Sequence, residues 1–114
     1  MQPLHLAYLQ LSHERSQDTA VVSAAGEIDM SSSPDLNMFL RDALMQDGIG
    51  DVVVNLQGID FMDCAAISTF VIARNVAVEQ KISFRLQHPS VQALKVIEMT
   101  KLHHKIDVEL LPTD

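Results

Sequence analysis

The feature that most constrains this chain is a short, almost unbroken apolar run formed by Val52, Val53, Val54 and Leu56. β-Branched residues favour strands, and a strand that is apolar at nearly every position must be covered on both faces. A strand of this kind belongs in the middle of a sheet that has helices packed against it. The run therefore predicts a central strand, around which every other segment has to be arranged.

The segment before this strand carries the signals of an amphipathic helix. Ser33 can cap its start, Pro34 suits the first helical position, and Asp35 suits the positive end of the helix dipole. Gly48 or Gly50 is predicted to end it. The apolar residues recur at helical spacing and predict one buried stripe: Leu36, Phe39, Leu40, Ala43 and Leu44.

The remaining segments alternate between strands and helices. Alternating or continuous apolar residues predict strands at residues 4–8, 19–25, 82–86 and 106–110, the last at an edge of the sheet. Helices are predicted from Cys64 to about Lys81, with Ile67, Phe70 and Val71 buried, and from residues 89–90 through Ile97. Residues 12–18 are predicted to form the turn of a hairpin, Gly26 to end the second strand, and residues 57–62 to form a loop.

The order of these elements indicates an α/β fold. Strands and helices that alternate at these lengths predict a mixed, partly parallel sheet of four to five strands with helices packed on it. A chain of 114 residues is long enough to bury one hydrophobic core. We therefore expect a single domain over residues 1–114.

Charge and composition argue against two classes of partner. The formal net charge is −7 and the eight lysines and arginines are scattered, so the footprint of a nucleic-acid-binding protein is missing. No apolar run approaches the roughly 20 residues that cross a bilayer, and no secretory signal is visible. The only cysteine, Cys64, cannot form an internal disulfide. We expect a cytoplasmic protein that neither binds nucleic acid nor inserts into a membrane.

The sequence contains no recognisable catalytic or metal-binding motif. Its four glycines match no phosphate-binding loop, and no HExxH or CxxC motif is present. His103 and His104 are adjacent and point in different directions, which favours a surface position over a metal site. Cys64 stands at a helix start, where a thiolate is favoured, but no histidine lies near it in sequence, so we favour a packing role. We expect no enzyme activity, no metal and no cofactor.

Three segments in register resemble the STAS domain family over residues 19–108. The first is Gly26-Glu27-Ile28-Asp29, which resembles the family's GE[IL]D signature. The second is the apolar strand at residues 52–56 followed by residues 59–67, which resembles the family's F-[IM]-D-S-[ST]-G-[LI] loop and the helix after it. The third, residues 89–102, is similar to the family's last helix and its exit.

The resemblance implies a bacterial anti-sigma factor antagonist that acts by partner switching in the regulation of transcription. Its implied partner is an anti-sigma factor, a GHKL-type serine kinase that phosphorylates the second hydroxyl residue of the loop. That position is Ala65 here, preceded by Cys64 and followed by Ala66, so we expect no phosphorylation of this loop. The implied partner-binding residues are Asp29, Met30, Ser31, Phe61, Met62, Asp63, Cys64, Ala65 and Ala66.

Three other interpretations remain open. The first is that Ser68 or Thr69, the nearest hydroxyls to the altered loop, is modified in place of Ala65. Both lie a turn further into the helix, where ordinary helical roles are expected. The missing hydroxyl also fits a STAS-like accessory subunit of a lipid-transport ABC complex. A third interpretation is a small-ligand sensor, or an enzyme that uses Cys64. Asp29, Asp60 and Asp63 follow predicted strands, and such loops gather at the functional edge of an α/β sheet.

Overall fold

The structure, a computed structural model, describes residues 9–111. Within that range five strands form one mixed sheet with three α-helices packed on it, which confirms the predicted fold class. A short 3-10 turn, Leu102–His104, precedes the last strand. In chain order the elements are β1 (Leu9–Ser16), β2 (Thr19–Ile28), α1 (Ser33–Leu44), β3 (Asp51–Met62), α2 (Cys64–Gln80), β4 (Ser83–Gln87), α3 (Val91–Met99) and β5 (Asp107–Glu109).

The apolar run lies at the centre of the sheet, as predicted. The strand order is β1-β2-β3-β4-β5, so β3 is the middle strand. β1 pairs antiparallel with β2, and the other three pairs are parallel. The three valines of the run are at most 1% exposed. β5 lies at an edge, also as predicted.

The first hairpin is tighter than the sequence pattern predicts. The predicted turn at residues 12–18 is wrong, because β1 continues to Ser16 and only Gln17 and Asp18 separate it from β2. Gln17 has a φ of 56°, the left-handed conformation that two-residue hairpin turns require. β1 is an edge strand with mostly exposed side chains, so its polar sequence is compatible with a strand. The strand predicted at residues 4–8 lies outside the described residues.

β2 and β3 both continue beyond the points where their glycines predict an end. β2 passes through Gly26, which has a φ of 108°, and its register against β3 shifts between Gly26 and Glu27. β3 includes all of the predicted loop at residues 57–62. A Cβ added to Gly58 would lie 2.8 Å from the Cβ of Ala25. These glycines therefore permit a bulge and a close approach of two strands instead of ending them.

The helices begin at or next to the predicted residues. α1 starts at Ser33, so its cap position is Ser32, one residue earlier than predicted, and Pro34 lies in the first turn. It ends at Leu44, before the predicted Gly48, whose φ of 74° serves the connection to β3. α2 starts at Cys64, as predicted, and α3 starts at Val91, just after the predicted residues 89–90; each has a side-chain cap.

One apolar core lies between the helices and one face of the sheet. Ala20, Val52 and Phe84 are direct neighbours across three strands and are all buried. Buried residues from all three helices belong to the same cluster. Because strand side chains alternate, the intervening residues, such as Ser23 and Asn55, lie on the opposite face.

The predicted core residues divide into two groups. Those that are buried, as predicted, are Leu36, Leu40, Ala43, Leu44 and Phe70. Those that are only partly buried and pack at the margin of the core are Phe39, Ile67 and Val71.

Candidate functional site

The loop between β2 and α1 and the junction between β3 and α2 lie side by side at the carboxyl ends of two parallel strands. Glu27 pairs with Phe61 in the register of the two strands. The backbone N–H of Asp63 donates a hydrogen bond to the carbonyl of Ile28 at 3.2 Å. The residues at 29–32 and 61–66 that the sequence singles out are therefore brought together at one end of the sheet.

Asp29 organises the loop that leads into α1. Its Oδ1 accepts from the hydroxyl of Ser31 at 2.8 Å and from the backbone N–H groups of Ser31 and Ser32, both at 3.0 Å. The Ser31 hydroxyl, followed by the backbone N–H of Ser32, holds the pKa of this carboxyl below its ordinary value of 3.8. The Asp29 carboxylate is therefore fixed by several hydrogen bonds, and in the fold it stabilises the loop that leads into α1.

Ser32, rather than the predicted Ser33, occupies the cap position of α1, but its side chain does not cap the helix. It is 6% exposed. Its Oγ accepts from the backbone N–H of Asp29 at 2.9 Å and donates to the carbonyl of Glu27 at 2.9 Å. Ser32 thus ties the loop back to the end of β2, a role that the sequence pattern did not reveal.

The start of α2 is built in a different way. Asp63 is the N-cap, and its Oδ1 accepts from the backbone N–H of Ala65 at 2.8 Å. Ala65 is half-buried, and its methyl side chain offers no hydroxyl at this helix start. Thr69 is buried and donates back to the carbonyl of Ala65 at 2.9 Å, the helical role expected for it. Ser68 is exposed.

Seven of the nine predicted partner-binding residues reach the surface at least in part. Two do not: Met62 is 3% exposed and Ala66 is fully buried. Both belong to the hydrophobic core, Met62 on the core-facing side of β3 and Ala66 on the core-facing side of α2. They therefore support the loops from inside and are not available for contact. The exposed residues are Met30, Ser31, Phe61 and Cys64, and the half-buried ones are Asp29, Asp63 and Ala65.

Asp60 lies within β3 and not in the loop predicted for it. It is exposed and lines one end of a shallow groove on the face of the sheet opposite the three described helices. The adjoining part of the groove has a volume of about 360 Å³, with Gln10, Ser23, Asn55 and Gly58 among its lining residues. Gly58, where β2 and β3 approach closely, lines both parts of this groove, and its packing role could not be recognised from the sequence.

The described residues offer little for metal or redox chemistry. Over residues 9–111, no group of three or more His, Cys, Asp or Glu side chains is arranged to hold a metal ion. Cys64 is a free, exposed thiol. His103 and His104 are exposed and stack edge to face on each other, with ring centroids 4.4 Å apart. None of the helices in this part of the chain is both long and apolar enough to span a membrane.

Comparison with protein families gives one match that spans most of the chain. The model of the STAS domain matches residues 10–113. A comparison with curated protein sequences gave no match.

Solved structures similar to this chain include three described as anti-sigma factor antagonists. The one from Mycobacterium paratuberculosis is 20% identical, with a TM-score of 0.77, and the match covers 93% of this chain and 87% of that one. SpoIIAA in its unphosphorylated form is 19% identical, with a TM-score of 0.73 and coverage of 89% and 87%. A putative antagonist from Thermotoga maritima is 12% identical, with a TM-score of 0.76 and coverage of 89% and 86%. At these identities the likeness establishes the fold.

Proposed function

The chain belongs to the STAS domain family, and from that membership we propose that it is a regulatory protein-binding module of the anti-sigma factor antagonist kind. Its partner in this proposal is an anti-sigma factor with a GHKL-type kinase fold, in the cytoplasm of a bacterium. It acts by partner switching and has no catalytic activity of its own. We propose that the contact is made by Asp29, Met30, Ser31, Phe61, Asp63, Cys64 and Ala65.

The surface properties of these residues support a protein partner. Phe61 is 47% exposed and Met30 is 76% exposed, at the strand ends that lead into the two helices. The carboxylates of Asp29 and Asp63 flank them. An apolar centre with a polar rim is the usual composition of a protein interface, and both carboxylates are already held in place by backbone N–H donors.

A further part of the proposal is that phosphorylation does not control binding, and it is supported by the alanine at the start of α2. SpoIIAA is described in both an unphosphorylated and a phosphorylated form. In this chain Ala65 offers no hydroxyl, and the next ones along α2 belong to Ser68 and to Thr69, whose hydroxyl is buried and bonded to the helix backbone. We therefore propose that binding does not depend on phosphorylation of this loop.

The partner is identified by affinity capture from the native cell. Its binding affinity is then measured for a variant that carries a new charge at the candidate face. Ala65→Glu places a carboxylate where the family's phosphate would lie. Its burial against a partner should weaken binding by roughly a hundredfold or more. The fold should survive, because a carboxylate in the first helical turn is well tolerated. Capture of membrane ATPase subunits in place of a sigma regulator would favour the ABC-transport alternative.

A matched control for this variant is Gln92→Glu. Gln92 is exposed and is the second residue of α3, just as Ala65 is the second residue of α2, so the same charge enters the same helical position elsewhere. Arg85→Glu is a poor control, because Arg85 bridges Asp51 at 3.2 Å and Glu109 at 2.8 Å and its reversal would leave three carboxylates together. Equal loss of binding in Ala65→Glu and Gln92→Glu would contradict the assigned face.

The absence of phosphorylation control has its own test. The captured kinase and ATP are expected to leave residues 64–69 of the wild type unmodified, whereas Ala65→Ser should become a substrate. Mass spectrometry of the tryptic peptides measures both. Phosphate on Ser68 or Thr69 of the wild type would refute this part of the proposal.

A further inference from the structure

A cleft of about 250 Å³ lies at the other end of the sheet from the candidate site. It is lined by residues from the last turns of α2, from the start of β4 and from the segment that leads into β5, and we call it the α2–β5 cleft. Ser83 at this end of β4 pairs with Asp51, the first residue of β3, whereas the candidate site follows Met62, the last residue of that strand.

Two cations from separate segments line the α2–β5 cleft. Arg74 belongs to α2 and is half-buried, and Lys105 lies between the 3-10 turn and β5. Within residues 9–111, neither side chain forms an ion pair with a carboxylate. The hydrogen bond that the Arg74 guanidinium donates is a long one, 3.4 Å, to Oδ1 of the neighbouring Asn75. The cleft therefore carries positive charge without a charged partner, in a chain whose net charge is −7.

The carboxylate among the lining residues, that of Asp107, belongs to the opposite face of the sheet. Asp107 pairs with Arg85 in the register of β4 and β5, and Arg85 reaches Glu109, two residues further along β5, at 2.8 Å. Val108, between the two acids, packs against the core on the helix side. Because strand side chains alternate, the Asp107 carboxylate is directed away from α2 and from Arg74.

We propose that the α2–β5 cleft binds a small soluble phosphomonoester, with its phosphate between Arg74 and Lys105. A phosphomonoester carries a charge of about −1.5 to −2 near pH 7, which two cations can neutralise. A guanidinium can in addition donate two parallel hydrogen bonds to phosphate oxygens. Sites for drug-sized ligands occupy roughly 300–1,000 Å³, so a cleft below this range suits a small ligand. Ile82, which is half-buried and lines the cleft, would contact the carbon atoms of the ligand.

The site goes beyond the proposed function, because it involves different residues at the other end of the sheet and no protein partner. Phenyl phosphate is a suitable probe, since it joins a phosphomonoester to a small apolar ring. Amide shifts in NMR titrations of the wild type should saturate and should be centred on residues 74–78, 82–84 and 105–107. Phenol, which has the same ring without the phosphate, should leave these amides unshifted.

Double variants with the same change in net charge separate the cleft from the charge of the whole chain. Arg74→Gln/Lys105→Gln removes the two cations of the cleft, and Arg41→Gln/Lys95→Gln removes two exposed cations that do not line it. The first should weaken binding of phenyl phosphate by roughly tenfold or more, and the second by less than about twofold. Asp107→Asn should strengthen binding, because it removes a negative charge near the cleft. Thermal unfolding of each variant checks that the fold is retained.

Four results would each overturn the proposal. They are the absence of saturable shifts, shifts centred on other residues, equal weakening by the two double variants, and binding of phenol as tight as that of phenyl phosphate. Co-sedimentation with phosphatidylcholine vesicles that contain phosphatidate, abolished by Arg74→Gln/Lys105→Gln, would assign the phosphate to a lipid headgroup and overturn the soluble ligand. The proposed function is tested separately by Ala65→Glu at the candidate site, so the two can fail independently.

Discussion

The two longer helices pack against each other on the same sheet, yet they distribute their apolar residues in opposite ways. α1 buries Leu36, Leu40 and Leu44 on one side and presents mainly polar residues on the other. α2 buries mostly small residues, and its larger aliphatic residues Ile72 and Val78 are 53% and 58% exposed. The buried residues of α2 are Ala66, Thr69, Phe70, Ala73 and Ala77.

The difference follows from where each helix lies. α2 connects β3 to β4 and contacts both α1 and β4, so small buried residues let it approach closely. α1 lies over β2 and near the edge strand β1, and its leucines are part of the core there. The apolar residues that α2 does not need for its own packing, Ile72 and Val78, are therefore at the surface.

The largest effect should come from truncating the one large buried side chain of α2. Phe70 is fully buried, so Phe70→Ala should lower the free energy of unfolding by about 3–5 kcal/mol through lost burial and a cavity. Phe39 on α1 is only partly buried, so Phe39→Ala should lower it by about 1–2 kcal/mol. Urea denaturation of both variants measures the two values. Equal losses would contradict the contrast drawn between the helices.

The same contrast explains how far the sequence predicted the fold. The stripe of α1 predicted the right buried face, because its apolar residues are large and recur at helical spacing. In α2 the apolar residues surround the helix, so periodicity could not distinguish the buried alanines from the exposed Ile72 and Val78.

Strand ends were harder to predict than strands. Glycine usually weakens a strand, and the sequence pattern accordingly ended β2 at Gly26 and placed a loop at residues 57–62. In the structure those glycines allow a bulge and a close strand contact, which depends on a residue in another strand, Ala25. The loop residues of the candidate site could be proposed from the sequence because their motif is local, whereas the hydrogen bond from Ser32 to the Glu27 carbonyl could not be predicted.

A smaller effect should come from the cap of α2. Asp63→Ala removes the oxygen that accepts from the N–H of Ala65 and should lower the free energy of unfolding by about 0.5–2 kcal/mol. Asp63→Asn keeps an acceptor oxygen and removes the charge, so it should retain most of the stability. Thermal or urea unfolding compares the variants. A loss in Asp63→Asn as large as in Asp63→Ala would mean that charge, and not the hydrogen bond, holds this helix start.

The smallest effect concerns the start of α1, which is held by a carboxylate outside the helix. The Ser31 hydroxyl, and then the Ser32 backbone N–H, hold the pKa of Asp29 below 3.8. A depressed pKa in the folded state means that the contribution to stability is present above about pH 3.8 and is lost as the pH falls through the folded pKa.

NMR titration of the Asp29 carboxyl carbon measures this directly. Ser31→Ala removes the largest cause of the shift, so it should raise the pKa towards 3.8 and reduce the stability that this carboxyl loses on acidification. Ser33→Ala is the control, because Ser33 contacts Asp29 through its backbone N–H to the Asp29 carbonyl at 2.8 Å and so keeps that bond. If the wild-type carboxyl titrated at or above 3.8, the hydrogen bonds to Asp29 would not favour its charged form. The loop into α1 would then be held by backbone contacts alone. The difference between the start of α1 and the carboxylate-capped start of α2 would then have to be explained by how the two helices pack.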